Sequence, residues 1–282
     1  MNPPVRSELK VVANIPFGQS FARSDRRHGF CALTLENPGW SDWMPGQYVM
    51  IRPASSFGGG GILSRPLSIC RVTTQGLVLF FRADGPNACL ARLKIGDGVV
   101  LWGPLGRGFA VEPGKKTLLM SYGEGIAPFF GYVDRHPDPA KLFLLFGHPL
   151  PSDNYPADAM SSRVAMEDML DDGKELRSLF YETVSDCMER CHGEGGLSLA
   201  CGPMFFLKKI WRIAQESGAS VQLSLEKRIV CGTGACMGCA TQRNALEQDG
   251  CAGGEPLKAC VDGPVFWAAD INLDGDDWED DA

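Results

Sequence analysis

Thr117-Leu-Leu-Met-Ser-Tyr122-Gly123-Glu124-Gly125-Ile-Ala-Pro128 is the stretch on which the architecture turns. Thr117 to Ser121 is a short continuous run bounded by a turn, the pattern of a strand buried on both faces. A glycine turn follows, and then a helix-like segment to about Arg135 with Pro128 in its first turn, where a missing N–H costs nothing. Downstream, Leu142 to Phe146 and Leu197 to Ala200 repeat the strand pattern. A helix is expected from Met204 to Glu216, ending at Gly218, with Phe206, Ile210, Ile213 and Ala214 at helical spacing for packing on a sheet. Strands alternating with helices predict an α/β domain built on a parallel sheet.

Upstream the texture differs. From about residue 8 to 112, short alternating or apolar runs such as Phe30 to Leu35, Gln47 to Ile51, Leu77 to Arg82 and Gly98 to Trp102 are broken by Gly, Pro and Asn. That spacing predicts an antiparallel β-barrel or sandwich. Phe57-Gly58-Gly59-Gly60-Gly61 lacks the Lys-Ser/Thr and the helix of a phosphate loop and reads as a flexible hairpin loop. From about 224 the chain is loop-rich and organised by cysteines.

Those cysteines carry the chemistry. Cys231-Gly-Thr-Gly-Ala-Cys236-Met-Gly-Cys239, with Cys260 further on, has the four-then-two spacing of a plant-type [2Fe-2S] ligand set. Gly232 and Gly234 let the backbone bring N–H groups close to the sulfurs. Structural zinc is the competing reading, since four thiolates also suit zinc, although zinc usually takes two CxxC knuckles and only one is present. Cys251 is an alternative fourth ligand. The chain holds 11 cysteines. Without a signal peptide at Met1 to Arg6 they are expected to be reduced thiols in a cytoplasmic protein. Cys31, Cys70, Cys89, Cys187, Cys191 and Cys201 read as small buried hydrophobes.

The net charge of −7 resides in the tail, because Asp270 to Ala282 contains seven acids and no base. The rest of the chain balances at zero, which argues against a nucleic-acid partner. No apolar run approaches the ~18 residues of a membrane span. The four histidines, at 28, 136, 148 and 192, lack the neighbours of a hydrolytic triad or a metalloprotease helix.

Two strand-to-helix turns, Gly123-Glu-Gly125 and Cys201-Gly202-Pro203, are placed to form the nucleotide crevice of an α/β sheet. Cys201 is either a small residue in a tight turn or a thiol beside a nicotinamide. Arg65-Pro66-Leu67-Ser68 offers a planar fork for a pyrophosphate and a hydroxyl pointing the same way. The turns at Pro86-Asn87 and at Gly103-Pro-Leu-Gly-Arg-Gly-Phe109 offer backbone donors, or simply tight strand connections.

The order Arg-Pro-x-Ser, Gly-Pro-Leu-Gly-x-Gly-Phe, Gly-x-Gly-x-Ala-Pro, Cys-Gly-Pro, the cysteine run and Lys258-Ala-Cys260-Val-Asp-Gly-Pro-Val-Phe266 resembles the ferredoxin reductase superfamily. It is most similar to the electron transfer subunits of type B dihydroorotate dehydrogenases, over residues 8 to 270. The resemblance implies an FAD-binding barrel at 1–112, an NAD-binding domain at 113–223, a [2Fe-2S] domain at 224–270 and an acidic tail at 271–282. It further implies that Arg65, Pro66, Leu67 and Ser68 hold FAD, with Arg65 on the pyrophosphate and Ser68 near the flavin ring. Phe81 and Arg82 would line the adenosine side, with Pro86 and Asn87 at the phosphate turn. Gly123, Gly125, Cys201 and Gly202 would frame the nicotinamide nucleotide, and Cys231, Cys236, Cys239 and Cys260 would ligate the cluster. An FMN-containing dihydroorotate dehydrogenase catalytic subunit is the implied partner, in a heterotetramer. Related subunits serving hydrogenases, sulfite reductases or transhydrogenases are the alternative, and a zinc-stabilised binding module is a third reading. Ser121, Tyr122 and Glu124 replace residues usual for the family, and Glu124 is expected to repel a pyrophosphate unless it points away.

Overall fold

The computed structural model describes residues 4–18, 29–55, 63–244 and 255–274. The expectations for Phe57 to Gly61, His28 and Cys251, and for the tail from 275 onward, fall outside these residues.

Six antiparallel strands close a barrel in the order β1-β2-β5-β4-β3-β6. They are β1 (Val5–Phe17), β2 (Phe30–Leu35), β3 (Tyr48–Pro53), β4 (Arg65–Thr73), β5 (Gly76–Arg82) and β6 (Gly98–Leu105). The short helix α1 (Ala88–Ala91) follows β5. Alternate residues point inward, so Leu33, Leu35, Val49, Ile51, Leu77, Leu79, Val99 and Leu101 fill the interior. β1 was not expected as a strand. It is mostly exposed, carries Arg6, Glu8 and Lys10, and changes register between Val11 and Ala13. Its strand character comes from pairing with both β2 and β6 to close the barrel, not from its own apolar pattern.

The second body is a six-stranded sheet. β7 (Thr117–Tyr122), β8 (Leu142–His148), β9 (Ala165–Leu170), β10 (Leu197–Cys201) and β11 (Val221–Ser224) are mutually parallel. The connecting helices are α2 (Ala127–Arg135), the short α3 (Ala157–Ser161), α4 (Lys174–Gly193) and α5 (Met204–Ser217). Both faces of the sheet are covered. Leu118 and Met120 pack with Phe180, Val184, Phe206 and Ile210 of α4 and α5, whereas Leu119 packs with Phe129, Phe130 and Val133 of α2. Burial on both faces explains why Leu118 to Met120 of β7 read as a continuous apolar run without alternation. β9 and α4 carry weak patterns for the converse reason. β9 is the sheet's edge and is largely exposed, and α4 buries a single stripe of Phe180, Val184, Cys187, Met188 and Cys191. α5 behaves as its spacing predicts and stops at Gly218, whose φ of +68° provides the left-handed C-terminal residue.

The cysteine-bearing segment is not self-contained. β12 (Ala240–Arg243), β13 (Leu257–Lys258) and β15 (Ile271–Asn272) form a small sheet, but β14 (Val265–Trp267) crosses to the central sheet and pairs antiparallel with β11. Expecting this segment to stand apart misses that strand. Beside it, Trp211 of α5 donates its indole N–H to the carbonyls of Ala268 (3.0 Å) and Ile271 (2.9 Å). Of the expected buried thiols, Cys89 is only half-buried. Among the described residues no helix is long and apolar enough to cross a membrane.

The Trp211 contacts give a direct test of how the C-terminal return is held. Trp211→Phe keeps most of the ring packing but leaves the Ile271 carbonyl without this donor, so stability should fall by about 1–2 kcal/mol. Urea denaturation reads this as a lower midpoint with unchanged slope, and an unaltered midpoint would show that the pair holds nothing.

Candidate redox site

The order of the parallel strands reverses between β7 and β10, so the turns after these two strands lie side by side at the carboxyl edge. A cleft of ≈ 210 Å³ opens there, between the sheet edge, the barrel and the segment leading to the cysteines. Pro66, Leu67 and Ser68 of β4, Phe81 and Arg82 of β5, and Asn87 form the barrel side. Gly125, Cys201 and Gly202 face them from the sheet. Residues predicted from separate motifs are thereby gathered at one place.

Three predicted residues stand apart from the lining. Arg65 donates its Nε–H to the carbonyl of Pro86 at 3.2 Å, which ties these two together at the barrel surface. Gly123 belongs to the turn beside the cleft, at φ +55° with open space around it. The Gly103 to Phe109 turn serves packing: Arg107 bridges to Pro264 and Phe109 is buried against Phe129. Phe81 is only 2% exposed and its ring belongs to the barrel core.

The two glycines of the first turn differ in what they do. A Cβ on Gly125 would stand 2.1 Å from the Cys201 carbonyl oxygen and 2.7 Å from the Gly202 nitrogen. The glycine is thus required for the two turns to touch each other. Cys201 is buried, and burial, with the charge of Glu226 adding, pushes its thiol up to about 12. The sulfur beside the cleft is therefore protonated at neutral pH.

Tyr122 does not enter the cleft. Its ring packs against Phe180, Phe205 and Phe206, and its hydroxyl donates to Asp171 Oδ2 at 2.7 Å, an oxygen that also accepts from Arg177 at 2.8 Å. Glu124 does face the cleft, together with Glu226, Lys227, Ser224, Leu225, Ile229 and Tyr48, none of which except Glu124 stood out as a cleft residue in the sequence. Ser224 to Lys227 run on from the end of β11 along this wall. The change from an apolar strand to charged residues at the carboxyl edge of β11 is the signal that could have placed them at a site. For Tyr48 the sequence offers no such signal.

The cysteine loop begins where this wall ends. Gly232 (φ +69°), Gly234 (φ +80°) and Met237 (φ +59°) all take the left-handed conformation, which turns successive amides toward the sulfurs. The Thr233 N–H lies 3.4 Å from Cys231 Sγ. That contact, with the Cys236 amide, brings the Cys231 thiol down to about 5. Cys239 and Cys260 are buried side by side, and burial raises Cys260 to about 12 while the Gly234 amide opposes the rise. Cys236 is exposed. Among the described residues no three His, Cys, Asp or Glu side chains converge on one point as for a single metal ion. Thiols backed by inward-turned amides are the donor set that an iron–sulfur cluster requires. Tyr48 joins loop and cleft: it lines the cleft, and its hydroxyl donates to the Cys260 carbonyl at 3.0 Å.

Comparison with known proteins places this geometry. The model for the iron–sulfur cluster binding domain of dihydroorotate dehydrogenase B matches residues 226–272. The dihydroorotate dehydrogenase B (NAD(+)) electron transfer subunit of Desulforamulus reducens is 31% identical over 79% of this chain and 84% of its own length. That of Bacillus caldolyticus is 30% identical over 81% and 87%. Among solved structures, an NADH-dependent reduced ferredoxin-NADP oxidoreductase superimposes with a TM-score of 0.71 at 21% identity, covering 94% of this chain and 89% of that one. The ferredoxin-NADP+ reductase of Plasmodium falciparum does so with a TM-score of 0.57 at 13% identity, covering 74% and 90%. Both show the same fold.

The contrast between the glycines is testable. Gly123→Ala meets only the backbone penalty of a left-handed residue, about 1–2 kcal/mol. Gly125→Ala must separate two backbones and should cost more, in excess of about 3 kcal/mol. Parallel urea melts of the two variants should show this ranking, and the reverse order would disprove the packing role of Gly125.

Proposed function

This chain belongs to the family of dihydroorotate dehydrogenase B electron transfer subunits, and from that premise we propose that it carries electrons between an FMN-containing dihydroorotate dehydrogenase catalytic subunit and NAD+, in pyrimidine biosynthesis. It is an oxidoreductase, and its cofactors in this reading are FAD in the cleft and a [2Fe-2S] cluster in the cysteine loop. When bound, these groups supply the chemistry, the cluster handling single electrons and the flavin converting them to hydride equivalents. The catalytic subunit assembles with it in a heterotetramer.

The observation that carries this reading is the position of Tyr48, whose side chain lines the cleft and is hydrogen-bonded to the residue expected as the fourth cluster ligand. One side chain thus touches both the cleft and the cysteine loop. The remaining residues act by position. Pro66, Leu67 and Ser68 form the floor against which the flavin is held, and Arg82 and Asn87 receive its phosphate and adenosine side. Arg65 reaches the pyrophosphate from the rim. Gly123, Gly125, Cys201 and Gly202 form the opposing wall for the nicotinamide, with the Cys201 thiol neutral. Cys231, Cys236, Cys239 and Cys260 hold the cluster, and exposed Cys236 with its apolar neighbours Val230 and Met237 marks the side open to a partner.

Anaerobic titration of the purified full chain with NADH tests the reading. Flavin absorbance should bleach, followed by the EPR signal of a reduced [2Fe-2S] centre. Cys260→Ser should remove or alter that signal while flavin content stays at the wild-type level. A colourless protein containing zinc would overturn the reading. With the catalytic subunit added, dihydroorotate should drive NAD+ reduction, and its absence would refute the assignment of partner.

A further inference from the structure

Tyr48 opens β3 at the place where the barrel meets both the cleft and the cysteine loop. In the β3–β4 ladder it stands directly opposite Ser68, and directly paired residues of antiparallel strands present their side chains to the same face. Both residues line the cleft. Val49 and Ile51 turn into the barrel, whereas Tyr48 and Met50 turn outward into the core that holds Cys239 and Cys260. Met50 supports the start of the cysteine loop, since a Cβ on Gly232 would stand 2.9 Å from its Cγ. Tyr48 supports the end of the ligand set through the 3.0 Å hydrogen bond that its hydroxyl donates to the Cys260 carbonyl. One outward face of β3 thus carries the loop at both ends, and of these two residues Tyr48 alone also lines the cleft.

We propose that Tyr48 is a positioning residue that couples the two cofactor sites: a cluster fastened to Cys260 tightens flavin binding in the cleft, and bound flavin in turn retards loss of the cluster. The inference rests on the flavoprotein reading above and deepens it by giving the two sites a physical link. Tyr48 is 3% exposed, so its ring has little room except the cleft itself. With Cys260 fastened, its carbonyl is fixed, and the phenol beside Ser68 is fixed with it. The cleft wall is then ordered before the flavin arrives, and flavin binding carries less of the ordering cost.

The same link works in reverse. A flavin packed on this wall holds the ring, the ring holds the carbonyl, and the fourth ligand stays in register with the other three. Linkage requires the two effects on affinity to be equal. One buried hydrogen bond sets their scale at about 10-fold. Removing the hydroxyl while keeping the ring breaks the link and leaves each site its own contacts.

The test titrates the full chain, freed of flavin, with FAD in two forms, one carrying its cluster and one stripped of it. Dissociation constants are read from flavin fluorescence. Wild type should bind FAD about 10-fold more tightly with the cluster than without it. On the fully loaded chain, the visible absorbance of the cluster should be lost to an iron chelator more slowly when FAD saturates the cleft. Tyr48→Phe should still take up both cofactors, but its two dissociation constants should agree within about 2-fold, and FAD should no longer slow cluster loss. A merely structural role for Tyr48 would weaken FAD binding alike in both forms and leave their ratio unchanged. Melting temperatures establish which forms are folded. If Tyr48→Phe does not fold, Tyr48→Met, which also removes the donor and fills the space with a flexible chain, takes its place. If the stripped chain does not fold, the chelator measurement decides, because it starts from the loaded protein. FAD affinity independent of the cluster, cluster loss indifferent to FAD, or coupling that survives intact in the variant would overturn this inference and leave the flavoprotein reading standing. A wild-type chain that fails to take up FAD or an iron–sulfur cluster would overturn the reading itself and the inference with it.

Discussion

The antiparallel pairing of Val265–Trp267 with Val221–Ser224 holds the two ends of the cysteine-bearing segment together, and the rest of the site takes its position from that closure. Glu226 to Ile229 leave the sheet edge as the wall of the cleft, the chain winds through the cysteine loop, and Gly263 and Pro264 return to the same edge. Without this return the loop would be attached at one end only. With it, the loop is pressed on the barrel, where Tyr48 takes the Cys260 carbonyl and a Cβ on Gly232 would meet Met50 at 2.9 Å. Trp211 and Gln215 of α5 both donate to the Ala268 carbonyl just beyond, so the helix that packs on the sheet also fixes the turn at Ala268–Asp270.

Three bodies therefore meet at one cleft, and each contributes chemistry of a different kind. The barrel brings a cation and a hydroxyl, the parallel sheet brings two backbone turns in contact with Glu124 and the Cys201 thiol, and the segment leading to the cysteines brings Glu226 and Lys227. Electron and hydride transfer need little from side chains beyond placement and charge. The site accordingly contains no histidine and no paired nucleophile and base among its lining residues. Its lining charges balance, with Glu124 and Glu226 set against Arg82 and Lys227.

The turns after β7 and β10 were legible in the sequence, because a buried strand, a glycine and a helix start all lie within a dozen or so residues of one another and depend on local geometry. The spacing of Cys231, Cys236 and Cys239 was legible for the same reason. β9 and β1 were not, since edge and barrel-closing strands are stabilised by partners and not by their own pattern. Gly125 was assigned to ligand approach, whereas its close neighbour is the Cys201 backbone. Tyr122 and Glu124 raised the same concern in the sequence and part company in the structure: Tyr122 turns into the helix-covered core, and Glu124 lines the cleft.

The sequence by itself determined the kinds of chemistry available: a thiol set at cluster spacing, a strand-turn-helix unit at nucleotide spacing, and an antiparallel barrel carrying Arg65 to Ser68. Each of these is encoded over a short span, where covalent connection and the period of helix or strand leave few alternatives. The tertiary structure alone decided which of these residues share a space. Tyr48 against Cys260, Gly125 against Cys201, and Glu124 with Glu226 around Arg82 are meetings across different bodies. They are set by strand order and by the return of β14 to the central sheet, long-range pairings that no local pattern records.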